Sequence, residues 1–526
     1  MKRVLFLAAL LLAATAATAQ DWAKLTDADG KLTGTVWKYR VQLKDKKHND
    51  FSVKKPLEFL SQKAIDRRKR QGLKVDKTDL PVSRAYLQQI EQCGVGICHT
   101  SKWNNTVVVW TTDTAKMDAV LALDCVSAVR RVATYNNPPS KANYDRRELV
   151  QPKVSEEGEE GGNPEEAAMQ LFADNLRQRM VESGTNPDSA DVAVAAVIQM
   201  MLAEAVEGEP EAVAEQETAA ATGKAAYYGK GLDQVEQLHV DALHDKGFRG
   251  QGMTIAITDG GYFNVDIIPL FSNVKILGTK DFAQQGGNIY EATQDHGTMV
   301  LSCIGANQPG QFVGTAPEAS FWLLRSEDGD TEQMVEEDNW AAAVEFADSV
   351  GADVINTSLG YSKFDSDDQT VRYWELDGHT RLCSNSASML AQKGIVLCNS
   401  AGNEASKPWK LISCPADADD VLTVGAVNRK GVNTNFSSLG NASDGRVKPD
   451  VMALGLDATV IDDHGTITEA NGTSFASPIM CGAVTCFWQA NPKLTAKEVV
   501  ERVRQLGDNR EHPNNVFGWG IPDFSK

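Results

Sequence analysis

The chain is short of positive charge. Among 526 residues, 52 Lys and Arg stand against 71 Asp and Glu, for a net charge of −19. Neutralising phosphates takes a surplus of cations, so a nucleic-acid partner is excluded. Apolar runs of membrane-spanning length are also missing. The run at residues 4–12 is too short to span a bilayer, and no later segment reaches that length without charges. Nine cysteines are present, yet none form the Cys-x-x-Cys pairs of a zinc site. No DxDxDG loop appears, so no metal ligand is predicted, and structural calcium is left open. No pair of carboxylates is placed for glycosidase chemistry.

What is present is organised in blocks. "MKRVLFLAALLLAATAATAQ" has a basic start, an apolar stretch and an Ala-Thr-Ala cleavage pattern. It is predicted to be a signal peptide over 1–19, implying a secreted or periplasmic protein that meets oxidants. From about 36 to 135, "WKYRVQL" and "TVVVWTT" read as strands. "PLEFLSQKAIDRRKR" and "TAKMDAVLAL" read as helices, and "AVRRVATY" as a closing strand. Strand, helix, strand, helix, strand predicts a small ferredoxin-like α+β module. From about 150 to 222 the chain turns acidic, with two apolar-spaced stretches between Gly- and Glu-rich flanks. These predict a helical hairpin inside a linker.

Beyond 227, short apolar strands alternate with amphipathic helices. "MTIAITD", "ASFWLLRSE", "ADVINTSLG", "GIVLCNSAGN" and "DVLTVGAVN" are the strands. "DNWAAAVEFADSVG", "CSNSASMLAQKG" and "TAKEVVERVRQLG" are the helices. This predicts an α/β fold, a parallel sheet with helices on both faces. Ligands bind beyond the carboxyl ends of such strands.

Four polar residues fall at those ends. Asp259 closes "MTIAITD", His296 opens "HGTMVLSCIGA", Asn403 follows "GIVLCNS", and Ser474 opens the apolar helix of "NGTSFASPIMCGAV". Pro478 is expected near that helix's first turn. A nucleophilic serine needs a base, the base needs a carboxylate, and the developing oxyanion needs donors. Asp259, His296, Ser474 and Asn403 supply these four roles.

On those motifs the region resembles the subtilisin-like serine proteases. "AITDGGY", "DHGTMV", "NSAGNEA" and "NGTSFASP" are similar to that family's Asp, His, oxyanion and Ser motifs, in the family's chain order. "INTSLG" and "VKPDV" add to the likeness. Gly260 departs from it, since many relatives carry Thr or Ser there. The resemblance implies a subtilisin-like fold, peptide-bond hydrolysis through an acyl-enzyme, protein or peptide substrates, and no cofactor. It also implies that Ser358, Leu359, Gly360 and Gly402 line the specificity pocket, with Glu404 near its base. Glu327 and Asp328 then fall near the substrate-pairing strand. Acidic residues there would favour basic substrate side chains, or they are solvated surface charge.

The front module is similar to the propeptides of such proteases, which makes the chain's own N-terminal part a partner. The expected layout is a signal peptide at 1–19, a propeptide module at 20–145, an acidic linker with a hairpin at 146–226, and a peptidase domain at 227–526. Maturation is expected between 136 and 226. The runner-up is a catalytically silent protein that keeps the fold and binds.

The tetrapeptide DHGT occurs at 295–298 and again at 463–466. An apolar helix follows the first, while "IDDHGTIT" reads as strand, turn, strand. His296 is therefore the expected base and His464 an exposed turn residue. The other histidines (His48, His99, His239, His244, His379 and His512) are assigned surface or packing roles. Cys303, Cys481 and Cys486 are expected as buried thiols. One bridge is expected among Cys383, Cys398 and Cys414, and another among Cys93, Cys98 and Cys125.

Overall fold

Alternating apolar strands and helices produce the layers that the sequence predicts. The computed structural model describes residues 34–136 and 223–526, apart from 285 and 293. The expectations for the signal peptide and for the acidic linker with its hairpin fall outside those residues.

In the front module the strands are β1 (Val36–Leu43), β2 (Gly96–Ser101), β3 (Thr106–Thr111) and β4 (Val126–Tyr135). They form an antiparallel sheet in the order β2-β3-β1-β4. Helices α1 (Gln62–Arg70), α2 (Arg84–Gln92) and α3 (Lys116–Leu121) complete it. This is a ferredoxin-like α+β unit, with β2 and α2 added to the expected order. "GICHTS" carries a His and a Cys among its short side chains, so its strand character came from pairing with β3 rather than from its own propensity. The first predicted helix is also split. Ser61 accepts a hydrogen bond from the Ala64 amide at 3.2 Å and caps α1, leaving only a single 3-10 turn at Pro56–Glu58 before it.

Three short helices open the second part: α4 (Lys224–Tyr228), α5 (Leu232–Gln237) and α6 (Asp241–Asp245). The large sheet contains β5 (Thr254–Asp259), β6 (Lys275–Asp281), β7 (Ser320–Arg325), β8 (Val354–Thr357), β9 (Val396–Ser400), β10 (Leu422–Val427) and β11 (Val451–Leu454). Its order is β11-β10-β9-β8-β5-β7-β6, and every neighbouring pair is parallel. β5, β8, β9 and β10 are buried along their whole length, as strands covered on both faces must be.

The helices on that sheet are α7 (His296–Gly305), α8 (Val335–Val350), α9 (Leu382–Leu390), α10 (Thr473–Ala490) and α11 (Ala496–Gln505). Between β11 and α10 runs an antiparallel hairpin, β12 (Ala458–Ile461) and β13 (Ile467–Ala470). The predicted capping box of α11 is present, with Thr495 and Glu498 each bonding the other's backbone N–H. Among the described residues no helix is long and apolar enough to cross a membrane.

Two expectations need correction. All nine cysteines are thiols. Cys303, Cys481 and Cys486 are buried as expected, but neither expected bridge is formed. In the front module the Cys93 sulfur turns to the Gln89 carbonyl and the Cys125 sulfur to the Gln89 side chain, so the two face their own surroundings. In the second part Cys383 sits against Cys414 and Cys398 against Cys481, all as thiols. Pro478 also lies deeper in its helix than expected, because α10 already begins at Thr473.

The front module packs its sheet onto α8. Arg40 grips Asp338 with two bonds of 2.6 Å. Asp348, fully buried, takes Arg67 at 2.5 Å, Arg68 at 2.9 Å and Lys102 at 3.0 Å. Burial alone would raise the Asp348 pKa, but those three cations drive it well below the usual carboxylate range. Glu345 accepts from the Ser101 hydroxyl and from the Lys102 and Trp103 amides. Losing one partner from such a buried network costs about 3–5 kcal/mol, since a charge is then left uncompensated.

Candidate active site

β5 is an interior strand, with β8 to β11 added on one side of it and β7 and β6 on the other, so its carboxyl end is a topological switch point. Asp259 is its last residue and is buried. One carboxylate oxygen accepts the Gly260 amide at 2.8 Å. His296, the first residue of α7, places Nδ1 at 2.9 Å and 3.1 Å from the two Asp259 oxygens.

Gly297 makes this approach possible. A Cβ there would stand 2.3 Å from the Gly261 carbonyl and 3.0 Å from the Asp259 Cβ. Only glycine lets the helix start come so near the strand end. Thr298 then anchors the turn by donating to the Phe263 carbonyl at 2.8 Å. Burial opposes charge on the imidazole, but the Asp259 charge and hydrogen bond outweigh it, so the His296 pKa is raised above 6.5.

Ser474 is the second residue of α10, and Phe475 beside it packs its ring 5.8 Å from the His296 ring. Pro478 has no N–H, so the Ser474 carbonyl loses its i+4 partner in the helix. The Ser358 hydroxyl fills that gap by donating to it at 2.8 Å. The Ser474 hydroxyl in turn donates to the Ser358 carbonyl at 3.1 Å. The proline that looked misplaced thus creates the reciprocal pair that fastens the serine to the end of β8.

Asn403 Oδ1 accepts from both the amide and the hydroxyl of Thr473 at 3.0 Å. This turns its Nδ2 the other way. A Cβ built on Gly472 would lie 3.6 Å from Asn403 Nδ2 and 3.6 Å from the Ser474 amide nitrogen. Both donors therefore border one small space at the N-terminus of α10, where the helix dipole favours negative charge.

Gly360 and Gly402 share a neighbour. A Cβ at Gly360 would sit 2.2 Å from Ser413 Oγ and one at Gly402 would sit 3.2 Å from it. Gly402 also has a φ of +106°, which a side chain would strain. Leu359 lies between Ser358 and Gly360, and its carbonyl accepts from Asn399 at 3.5 Å. Glu404 pairs its carboxylate with Lys407 at 2.9 Å, so part of its charge is already met. Glu327 accepts from Ser326 and Tyr361 at 2.6 Å and 2.8 Å, and Asp328 follows it on the same segment.

The second DHGT copy is elsewhere in the hairpin. His464 is exposed at the tip between β12 and β13; its ring Nδ1 meets its neighbour Asp463 at 2.6 Å and its amide donates to Asp462 at 3.0 Å. Asp462, Asp463 and His464 are the one group among the described residues whose donor atoms lie near enough to share a cation. Sequence reasoning missed the roles of Ser413 and Thr473, which carry no local signature and act through contacts far along the chain.

Known proteins resemble this chain over two regions. The description "Subtilase family" (Peptidase S8) matches residues 250–520, and "Peptidase S8 propeptide domain, Bacteroidota" matches residues 38–147. Subtilisin NAT of Bacillus subtilis subsp. natto is 28% identical over 289 residues, covering 54% of this chain and 68% of that protein. Subtilisin E of Bacillus subtilis (strain 168) matches to the same extent, 28% over 289 residues, with 54% and 68% covered. Among solved structures, MycP3 protease from the type VII (ESX-3) secretion system is 22% identical at a TM-score of 0.45, with 58% of this chain and 88% of that one covered. With a matching region of half its length joined to a matching propeptide domain, the chain belongs to the subtilase family of serine proteases and is a zymogen.

Proposed function

We propose that the chain is a secreted serine endopeptidase in which Asp259, His296 and Ser474 are the catalytic triad and Asn403 an oxyanion donor. The observation that carries this reading is the Asp259–His296 pair at 2.9 Å, set beside the start of the helix that bears Ser474. His296 Nε2 takes the Ser474 proton as Oγ attacks the substrate carbonyl. Asp259 holds Nδ1–H and stabilises the imidazolium. Asn403 Nδ2 and the Ser474 amide receive the oxyanion. His296 then protonates the departing amine, leaving an acyl-enzyme that water hydrolyses by the reverse proton transfers. A turn about the Ser474 side chain moves Oγ from the Ser358 carbonyl to His296. No cofactor enters this reaction.

Ser358, Leu359, Gly360 and Gly402 would form the pocket walls, with the two glycines leaving room for a side chain. Glu404, already paired to Lys407, would contribute weakly to charge selection. The layout proposed is a signal peptide at 1–19, a propeptide module at 20–145, a linker at 146–226 and a peptidase at 227–526, with maturation cleavage inside 136–226.

The rival is a silent fold that binds without cutting. The turn of the Ser474 hydroxyl toward Ser358 rather than the imidazole is the one observation in its favour. A fluorophosphonate probe applied after front-module removal separates the two. Labelling of Ser474, lost in His296→Ala, supports the protease; an unlabelled native enzyme supports the silent fold.

A further inference from the structure

Glu336 lies in the first turn of α8, is 1% exposed, and has one carboxylate oxygen with no partner. Its other oxygen accepts the Asp328 amide at 2.9 Å. Beside it Glu327 accepts from Ser326 and Tyr361, and the Tyr361 hydroxyl also reaches the Glu336 carbonyl at 3.2 Å. A buried glutamate and a half-buried one therefore lie side by side on the peptidase side.

The front module packs on the residues that lead into this patch, and its Tyr135 lies within electrostatic reach of Glu336. Val36, Val108, Val132, Ala133 and Tyr135 pack on Met334 and Val335, the residues just before Glu336. The Thr134 amide donates to Gln333 at 2.7 Å. Lys38 and Tyr135 bring the module's nearest ionisable groups, and Lys38 feels Asp328, Tyr135 and Cys98. From the peptidase side Asp328, Glu332, Asp365, Tyr361 and, behind Glu327, Asp259 face the patch. The peptidase-side groups are all acidic or phenolic, and Lys38 is the module's cation nearest to them. Arg40 and Arg381 are already engaged by Asp338 and Glu337. A buried carboxylate without a paired cation keeps its proton.

We propose that Glu327 and Glu336 are a proton-dependent latch: both hold protons while the front module covers them, and their ionisation as pH rises favours the module's release. The inference extends the zymogen reading to how inhibition is relieved. Burial pushes the Glu327 carboxyl up to about 8, and Glu336 lies well above the ordinary carboxylate range. Once uncovered and wet, both return toward ordinary carboxylate values. The covered form therefore carries the raised pKa. Its extra stability is full below the uncovered pKa and is lost as pH rises toward the covered one.

His99 acts in the opposite sense. Its Nε2 meets Asn339 at 2.8 Å, and burial pushes its pKa down to about 3. It weakens the covered form only below about pH 6.5, its value in water. Above that, His99 makes no further difference.

The test uses a full-length Ser474→Ala chain with a site for a sequence-specific protease inserted within residues 155–220. After complete cutting, the module is held by contacts alone, and its dissociation constant is measured at pH 6.5, 7.5 and 8.5. The expected result is a rise of up to about tenfold per pH unit for each proton released. Glu336→Gln and Glu327→Gln, which mimic the protonated side chains, should each flatten that rise and bind more tightly than the parent at pH 8.5. A flat parent curve would overturn the latch, and so would an equal rise in both variants. If one variant fails to fold, the parent curve and the other variant decide. Self-cleavage in the Ser474→Ala background would count against the Ser474 assignment, while the latch is read only from the binding curve.

Discussion

The two DHGT segments are identical in sequence and opposite in setting. In the first, glycine is required because a helix must touch a strand end: a Cβ on Gly297 would meet the Gly261 carbonyl at 2.3 Å. In the second, glycine is required because a hairpin must reverse: Gly465 has a φ of +81°. The first histidine reaches a buried aspartate 37 residues earlier, whereas the second bonds its neighbour. Thr298 is buried and anchors the turn through Phe263, while Thr466 is exposed just before β13. The chemistry of a histidine is thus set by the partner that the fold delivers to Nδ1, not by the letters on either side.

The largest effects should separate the copies most sharply. Ser474→Ala and His296→Ala should each lower kcat on a peptide anilide by about 10⁶, a scale that belongs to subtilisin's own triad. Parallel assays of His464→Ala settle the comparison; if that variant were the dead one, the roles given to the two copies would be reversed. Asp259→Asn should follow with a loss of about 10⁴, because the imidazole loses its orienting partner. Its pH profile carries a second reading. In the native enzyme the acid limb of kcat/KM should lie above pH 6.5, since Asp259 favours the protonated imidazole. Removing that negative charge should move the limb to lower pH, and a move to higher pH would contradict the electrostatic argument.

Asn403→Ala should cost about 10²–10³ in kcat with KM nearly unchanged, again the magnitude of subtilisin's own oxyanion amide. A large change in KM instead would make Asn403 a binding residue. The two glycines offer a subtler contrast. Gly297→Ala should destabilise by about 1–3 kcal/mol through overpacking and should also lower activity, as His296 rides on the displaced turn. Gly465→Ala should cost about 1 kcal/mol of backbone strain and leave turnover intact. Urea melts paired with kcat on the same samples distinguish these outcomes. Smallest of all, His464→Ala should stay within about twofold of native activity.

Much of this could be read along the chain. The near-continuous apolar runs of "MTIAITD", "ADVINTSLG" and "GIVLCNSAGN", alternating with helices, announced parallel strands, because a strand covered on both faces leaves little place for charge. Four chemically suited residues at element ends, in one order, identified the candidate site before any geometry was known. Where the reading faltered, the missing information was long-range. "GICHTS" became a strand only because β3 lies beside it. "KILGTKD", at the sheet's edge, is exposed at alternate residues and resembles a loop in composition.

By itself, then, the sequence determined the α/β class, the element ends at which four candidate site residues fall and which DHGT enters a helix. Each of these is written in local periodicity or in a motif of a few residues. Only the tertiary structure decided what Pro478, Gly297, Asp348 and Glu336 are for. Pro478 frees a carbonyl that Ser358, 116 positions from Ser474, then holds. Gly297 clears space for a neighbour in another loop, Asp348 gathers cations from the front module, and Glu336 follows the residues on which that module packs. No local window holds these facts, because burial and partnership are properties of segments that meet only after the chain has folded.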